Sequence, residues 1–380
     1  MSSEQFSISD FLNELKKYVK EEDKLENTYF FRGHANCEWI LEPSIFRNKG
    51  HIQNEDKIIN DMFTACPQDL EKETLLFDKL VKLQHYGCPT RLLDITSNAL
   101  VALYFACSDE KEKDGKVFVF KVPTKQIKYS DSDTVAIISA LSLAPNKFRI
   151  DDKTFKEASR DLFKDIPKCD FFIRRYRIKK ERKNQYLTSS KKIDSELQDF
   201  LISYLEINLE NDKFNYRYLE SLEMAKSRRY LLNERFIERL FRQFTNNLCK
   251  QPQMLSLLND IRKSKPYFQP FINYQDFYKV LCINPSKTND RLIYQQGSFF
   301  LYGMTEEGKE NPAILTEEWF KIADQEMSIT IPYRCKDNLL KDLKYLGISQ
   351  ETLFPELDKQ AEVIKKKYEQ PSEDKKTKNE

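Results

Sequence analysis

Three short stretches of this chain gather residues that could do chemistry. In Phe31-Arg32-Gly33-His34 an arginine ends an aromatic run, and the glycine after it lets another group approach the backbone. A guanidinium so placed can offer its planar fork to a carboxylate or phosphate. The second stretch, Gln84 to Thr96 (QHYGCPTRLLDIT), packs together the His85 imidazole, Arg91, Asp94 and the Thr90 and Thr96 hydroxyls, with Ser97 next in line. The third, Arg291 to Gly297 (RLIYQQG), brings the Gln295 and Gln296 amides to a glycine. Arg32, His85, Asp94 and Gln296 are the catalytic candidates; Arg32, Gly33, His34, Thr90, Arg91, Thr96, Ser97 and Gln295 are the candidates for holding a cofactor. Structural roles remain open for several of them. Arg32 and Asp94 could form a buried ion pair, His85 could close a helix C-terminus, and Gln296 could fill a slot in a ladder.

The elements that must position these residues are readable in part. The chain has eight glycines in 380 residues, well under the usual share of about 7%. Gly33, Gly87, Gly297 and Gly303 each sit at the edge of an aromatic or apolar run. Ser9-Asp10 ahead of Phe11, Leu12, Leu15, Tyr18 and Val19 predicts an amphipathic helix. TYFFR at 28–32 and KVFVFKV at 116–122 predict strands. Leu75 to Tyr86 predicts a helix stopped by Gly87 and Pro89. Thr90 to Ser97 then reads as a loop that enters a helix over 98–106, so the second stretch becomes a proline-stiffened turn between helices. Strand character returns at 279–283, over 291–302 and at 327–331, and helices are expected over 336–346 and 351–369.

Between about 124 and 278 the pattern changes to long charged helices, including Glu196–Glu206 and Glu234–Asn246. The expected fold is therefore α+β: a small mixed or antiparallel sheet core from 1–123 and 279–335, a helical insertion over 124–278, C-terminal helices over 336–369 and a disordered tail over 370–380. Lys and Arg number 62 against 60 Asp and Glu, so a nucleic-acid or membrane site must be local. The strongest local case is Phe171 to Lys183, where Arg174, Arg175, Arg177, Lys179 and Lys180 alternate with aromatic and apolar residues. The eight cysteines show no CxxC spacing, and there are only three histidines, so neither disulfides nor a metal site is expected. No run approaches the ~18 apolar residues of a membrane span, and a cytoplasmic protein is expected.

Phe31-Arg32-Gly33 resembles the triplet for which the FRG domain family is named. The similarity continues through Gln84 to Ala106, Lys265 to Phe268 and Arg291 to Gly303, covering roughly residues 10–305. Because FRG proteins are similar to proteins encoded near bacterial and phage conflict genes, the resemblance implies a defence or toxin role by association. A weaker resemblance is to ADP-ribosyltransferases, which place an arginine on an early strand, a Ser/Thr motif on a second and a Gln/Glu-x-Glu motif on a later one, around NAD. Arg32, the Thr90/Thr96-Ser97 region and Gln295-Gln296-Gly297 fall in that order. The resemblance implies that Arg32 grips the NAD phosphates and hydroxyls orient the nicotinamide ribose. Gly297 stands at the position of that family's catalytic glutamate, so Asp94 or Gln296 must take over.

Three functions compete on this reading. The first is an enzyme acting on a nucleotide or nucleic-acid substrate, most concretely by ADP-ribosyl transfer from NAD to a protein or nucleic-acid acceptor. The second is a non-catalytic sensor whose basic site binds a phosphorylated ligand or a partner's carboxylate. The third is a metal-independent nuclease using His34 and His85, with the 171–183 run on the phosphate backbone.

Overall fold

A computed structural model of the chain describes residues 6–151, 153, 154, 157, 158, 242 and 244–369. The 171–183 basic run, Glu196–Glu206, most of Glu234–Asn246 and the 370–380 tail lie outside the described residues. The chain divides into two compact units. One comprises residues up to Asn146, Lys279–Thr305 and the chain from Glu310 on; the other comprises Lys147–Tyr278 and Glu306–Lys309.

The first unit is α+β. Its main helices and the strands of its large sheet run, in chain order, α1 (Ile8–Leu15), β1 (Asn27–His34), α2 (Glu55–Ala65), α3 (Leu76–His85), β2 (Leu92–Thr96), α4 (Ala99–Cys107), β3 (Gly115–Pro123), β4 (Lys128–Tyr129) and α5 (Asp133–Ala140). After the second unit come β5 (Val280–Asn284), α6 (Asp290–Tyr294), β6 (Gly297–Tyr302), β7 (Ser328–Ile331), α7 (Lys336–Tyr345) and α8 (Leu357–Tyr368). These strands form a seven-stranded mixed sheet in the order β7-β3-β1-β2-β6-β5-β4. Only β4 and β5 run parallel.

Three expectations are corrected here. Residues 92–96 are not a turn between helices but a strand inside the sheet, paired with β6 from Leu92↔Leu301 to Thr96↔Gly297 and touching β1 at Phe31↔Thr96. Conversely, Arg291 to Tyr294 is helical, because the Asn289 side chain accepts from the Leu292 amide at 2.8 Å and starts a turn there. The strand begins only at Gly297. The C-terminal helix is also broken: a turn at Gln350–Leu353 ends before Pro355, and α8 restarts at Leu357.

The pleat of β1 explains the aromatic-Arg-Gly triplet. Phe31 joins a core with Val101, Ala102 and Ala106 of α4, Phe11 of α1 and Leu339 and Leu343 of α7. Phe30 faces the opposite layer with Leu93, Phe118, Phe120, Phe300 and Trp319. Gly33 sits under α4, where a Cβ would meet the Ala102 carbonyl oxygen at 1.9 Å and the Ala106 nitrogen at 2.7 Å. Gly115 on β3 is under the same helix, its Cβ position 2.3 Å from the Ala106 oxygen. The group that approaches the Gly33 backbone is thus the protein's own helix. Asn98 caps that helix, accepting from the Leu100 and Val101 amides at 3.0 and 3.4 Å.

The second unit contains the helix Pro252–Ser264, which buries Met254, Leu257, Leu258 and Ile261. Edge-on ring pairs Phe148–Phe277 and Phe244–Tyr274, at 5.8 and 5.9 Å, fill its interior. Among the described residues, no helix is long and apolar enough to cross a membrane.

Replacing Gly33 with alanine drives a methyl into helix backbone that cannot swing aside. Gly33→Ala should cost more than ~2 kcal/mol in chemical denaturation. Gly87→Ala meets only a positive φ with open space around it and should cost about 1 kcal/mol; equal losses at both positions would contradict this account of the helix seat.

Candidate functional site

Because Gly33 faces α4, its neighbours Arg32 and His34 point to the other side of β1. The Arg32 Nε–H donates to His34 Nε2 at 2.9 Å, and Nη1 donates to the Asp94 carbonyl at 2.5 Å. The Asp94 carboxylate is 3.8 Å from Nη1 with its side chain 65% exposed, so the pair is not the buried ion pair considered from sequence. Among the described residues Nη2 has no hydrogen-bond partner, and the Arg32 side chain is 17% exposed.

Arginine has only donors, so it dictates the state of His34. Nε2 must be the bare, accepting nitrogen, which puts the proton on Nδ1, 3.3 Å from the Trp39 carbonyl. His34 is 2% exposed and its ring packs edge-on against Phe118 at 5.0 Å. Burial, then the adjacent Arg32 charge, brings its pKa down to about 3, with Arg47 and Lys116 acting in the same direction. His34 is therefore neutral at physiological pH and serves as an acceptor that orients Arg32. Burial pulls the Arg32 guanidinium below the ordinary arginine range, Arg47 adds to this, and Asp94 and the Tyr302 phenol oppose it. Tyr302 is buried, which pushes its phenol up.

The loop after β1 is fixed in place. Cys37 N–H donates to the Asp114 carbonyl at 2.8 Å, and the Glu38 amide to Asn36 Oδ1 at 2.9 Å. Lys336, fully buried at the start of α7, donates to the carbonyls of Ala35, Glu110 and Asp109 at 2.6, 2.9 and 3.1 Å. Trp39, Arg47, Tyr302 and Lys336 were not among the sequence candidates.

The other candidates are distributed differently. Arg91 is fully buried: Nε and Nη2 each donate to a Glu55 carboxylate oxygen at 2.7 Å, Nη1 reaches the Gly303 carbonyl at 3.2 Å, and the guanidinium stacks 5.2 Å from the Phe46 ring. It is a strut joining α2, β2 and the end of β6, closed off from solvent and so from a cofactor. The buried Thr90 hydroxyl donates to Gln84 and accepts from the Leu92 amide at 3.1 Å, so it too is spent in the fold. Thr96 Oγ donates to the Gln295 carbonyl at 2.7 Å, and Ser97 Oγ to Gln296 Oε1 at 3.3 Å, tying the end of β2 to the turn before β6. Gln296 holds that turn at φ 47°, in the left-handed region. The Gln295 amide donates to the Leu353 carbonyl at 3.0 Å.

His85 is in a separate cluster that shares no contact with Arg32. Its Nε2 is 3.0 Å from Glu356 Oε1, and burial lowers its pKa, helped by Arg291 and opposed by Glu356 and Asp358. Arg291 itself lies 4.7 Å over the Phe354 ring. Motif blocks two and three are thus held under the C-terminal segment. Among the described residues no three His, Cys, Asp or Glu side chains converge on a metal position.

Residues 27–115 match the family model of the FRG domain. The chain contains an FRG domain over these residues. The match takes in β1 with its Arg32 cluster and all of β2 and α4, while the similar blocks at 265–268 and 291–303 lie beyond it. No curated protein and no solved structure matches the chain.

Two measurements check this geometry. His34 stays neutral in the fold but protonates near 6.5 when unfolded, so its contribution is complete above pH 6.5 and is lost as pH falls toward 3. Stability should drop by about 2 kcal/mol from this group between pH 7 and 5, and His34→Gln should flatten that part of the profile. Removing one partner of the buried pair, as in Glu55→Ala, should cost ~3–5 kcal/mol, whereas the joint replacement Glu55→Leu with Arg91→Met should cost clearly less.

Proposed function

We propose that the Arg32 cluster of this FRG domain binds the phosphate groups of a nucleotide, and that the reaction run there is ADP-ribosyl transfer from NAD. The observation that carries the first half is the donor count at Arg32. Nε–H and one Nη1 hydrogen are consumed in orienting the group, and the imidazole behind it stays neutral; among the described residues Nη2 is left unspent and no buried counterion cancels the charge. A guanidinium oriented in this way and left partly exposed fits a phosphate.

The second half is supported by strand order. Arg32 is on β1, Thr96 at the end of β2 and Gln295-Gln296 in the turn just before β6, and these three strands are neighbours in the sheet, in the sequence order of the transferase resemblance. The residues fit the donor: Arg32 would hold its phosphates, and Asp94 is the carboxylate beside that guanidinium. NAD would supply a glycosidic bond whose cleavage develops positive charge on the ribose, which a carboxylate stabilises. A role as an effector in bacterial or phage conflict follows only from the family resemblance.

One observation favours the second reading, a sensor without turnover. Gly297 stands where a transferase would place its glutamate, and Asp94 is already engaged at 3.8 Å with Arg32. Both readings require phosphate binding at Arg32. ADP-ribose should raise the melting temperature of the full chain and leave that of Arg32→Ala unchanged. With labelled NAD and a cell extract, transfer of label by the parent protein, lost in Asp94→Asn while ADP-ribose still binds, supports the transferase. Binding without label or released nicotinamide in the parent leaves the sensor, and absence of Arg32-dependent binding removes both.

A further inference from the structure

We infer that Trp39 is the base platform of the same site, so that its ligand is a nucleoside phosphate with the ring on the indole and a phosphate on Arg32. The inference rests on the phosphate reading above and adds the other end of the ligand. Trp39 is 44% exposed and Ile40 beside it 74%. An indole displayed to solvent is common, but this one is tied to the arginine. Its own carbonyl accepts the His34 Nδ1–H, and its ring meets the His34 ring edge-on at 6.1 Å. The same imidazole accepts from Arg32 Nε at 2.9 Å. A single buried ring therefore sets the spacing between an exposed aromatic face and an unspent guanidinium edge.

The His34 ring lies 6.1 Å from the indole, centroid to centroid, and 2.9 Å from Arg32 Nε, which leaves a ribose between a base on the one and a phosphate on the other. The platform is held by the contacts that fix the loop: Trp39 N–H donates to the Asn36 carbonyl at 3.2 Å, and Lys336 gathers the Ala35 carbonyl from below. Ordering a ligand on a rigid aromatic and a rigid arginine costs less than ordering both side chains at binding. Stacking is tolerant of base identity, since every base has a π-face. The contact should therefore separate nucleotides from bare phosphates more than one base from another.

The chain has two tryptophans, which makes the test direct. Trp319 is 5% exposed, stacked at 5.5 Å on Phe300, with its indole N–H donating to Gln126 at 3.1 Å. Quenching by an added ligand thus reports on Trp39. The full chain would be titrated with AMP, ribose 5-phosphate and pyrophosphate, by fluorescence and by calorimetry. AMP should quench in a saturable way and bind roughly ten-fold or more tighter than ribose 5-phosphate. Trp39→Ala should erase that advantage, Trp39→Phe should restore much of it, and pyrophosphate affinity should be the same in all three. AMP binding no tighter than ribose 5-phosphate, or indifferent to Trp39→Ala, overturns the platform; Arg32-dependent pyrophosphate binding in the same experiment would leave the phosphate reading standing. No binding of any of the three overturns both.

Discussion

The seat of α4 on the sheet is the constraint from which the rest of the site follows. Helix backbone reaches β1 and β3 at distances that exclude any side chain at Gly33 and Gly115. With Gly33 fixed under the helix, the two-residue period of the strand leaves no choice for its neighbours. Phe31 must enter the same core as Ala102 and Ala106, and Arg32 and His34 must emerge on the opposite face, beside Phe118. The glycine is a packing residue, and its functional consequence is the direction of the arginine next to it.

On that face the ordering is done by hydrogen-bond polarity. A guanidinium cannot accept, a buried imidazole flanked by Arg32, Arg47 and Lys116 resists protonation, and the Trp39 carbonyl cannot donate. Only one arrangement of protons satisfies all three. The chain of bonds from Asp94 through Arg32 and His34 to Trp39 therefore has a single direction, which joins the middle of the sheet to the first surface loop. Lys336 extends the arrangement from below, because a buried ammonium is tolerable only with several carbonyls around it, and those it finds in Ala35, Asp109 and Glu110 belong to the loops flanking β1 and β3.

The elements that sequence reasoning located were those with a clean period or an aromatic run: KVFVFKV became β3, TYFFR became most of β1, and Leu76–His85 became a helix stopped at Gly87. LLDIT was missed as a strand because its two adjacent leucines break the alternation and both are buried, as in a strand covered on both faces. RLIY was missed as a helix because its side chains suit either state; the deciding signal was local and polar, the Asn289-Asp290 pair that starts the turn. At the site, Arg32 was read next to His34 in one motif and with Asp94 as a pair, but His85 and Arg91, grouped with them from sequence, bond to Glu356 and Glu55 instead. Trp39 and Lys336 were not legible, since nothing in the sequence neighbourhood of a loop tryptophan or a helix-start lysine tells which backbone carbonyls and rings it will meet after folding.

Charge satisfaction separates the arginines that the motif made look alike. Arg91 gives every nitrogen a partner, two carboxylate oxygens and a carbonyl, and covers its ring plane with Phe46. Fully enclosed in this way, it can hold three elements together but cannot receive a ligand. Arg32 is backed by an imidazole that takes one hydrogen without contributing negative charge, and its nearest carboxylate stays in solvent. An ion pair in that position would have used up both the geometry and the field. A neutral acceptor uses only the geometry, so the positive charge remains directed outward, where an anion would complete the set of hydrogen bonds that the fold leaves unfinished.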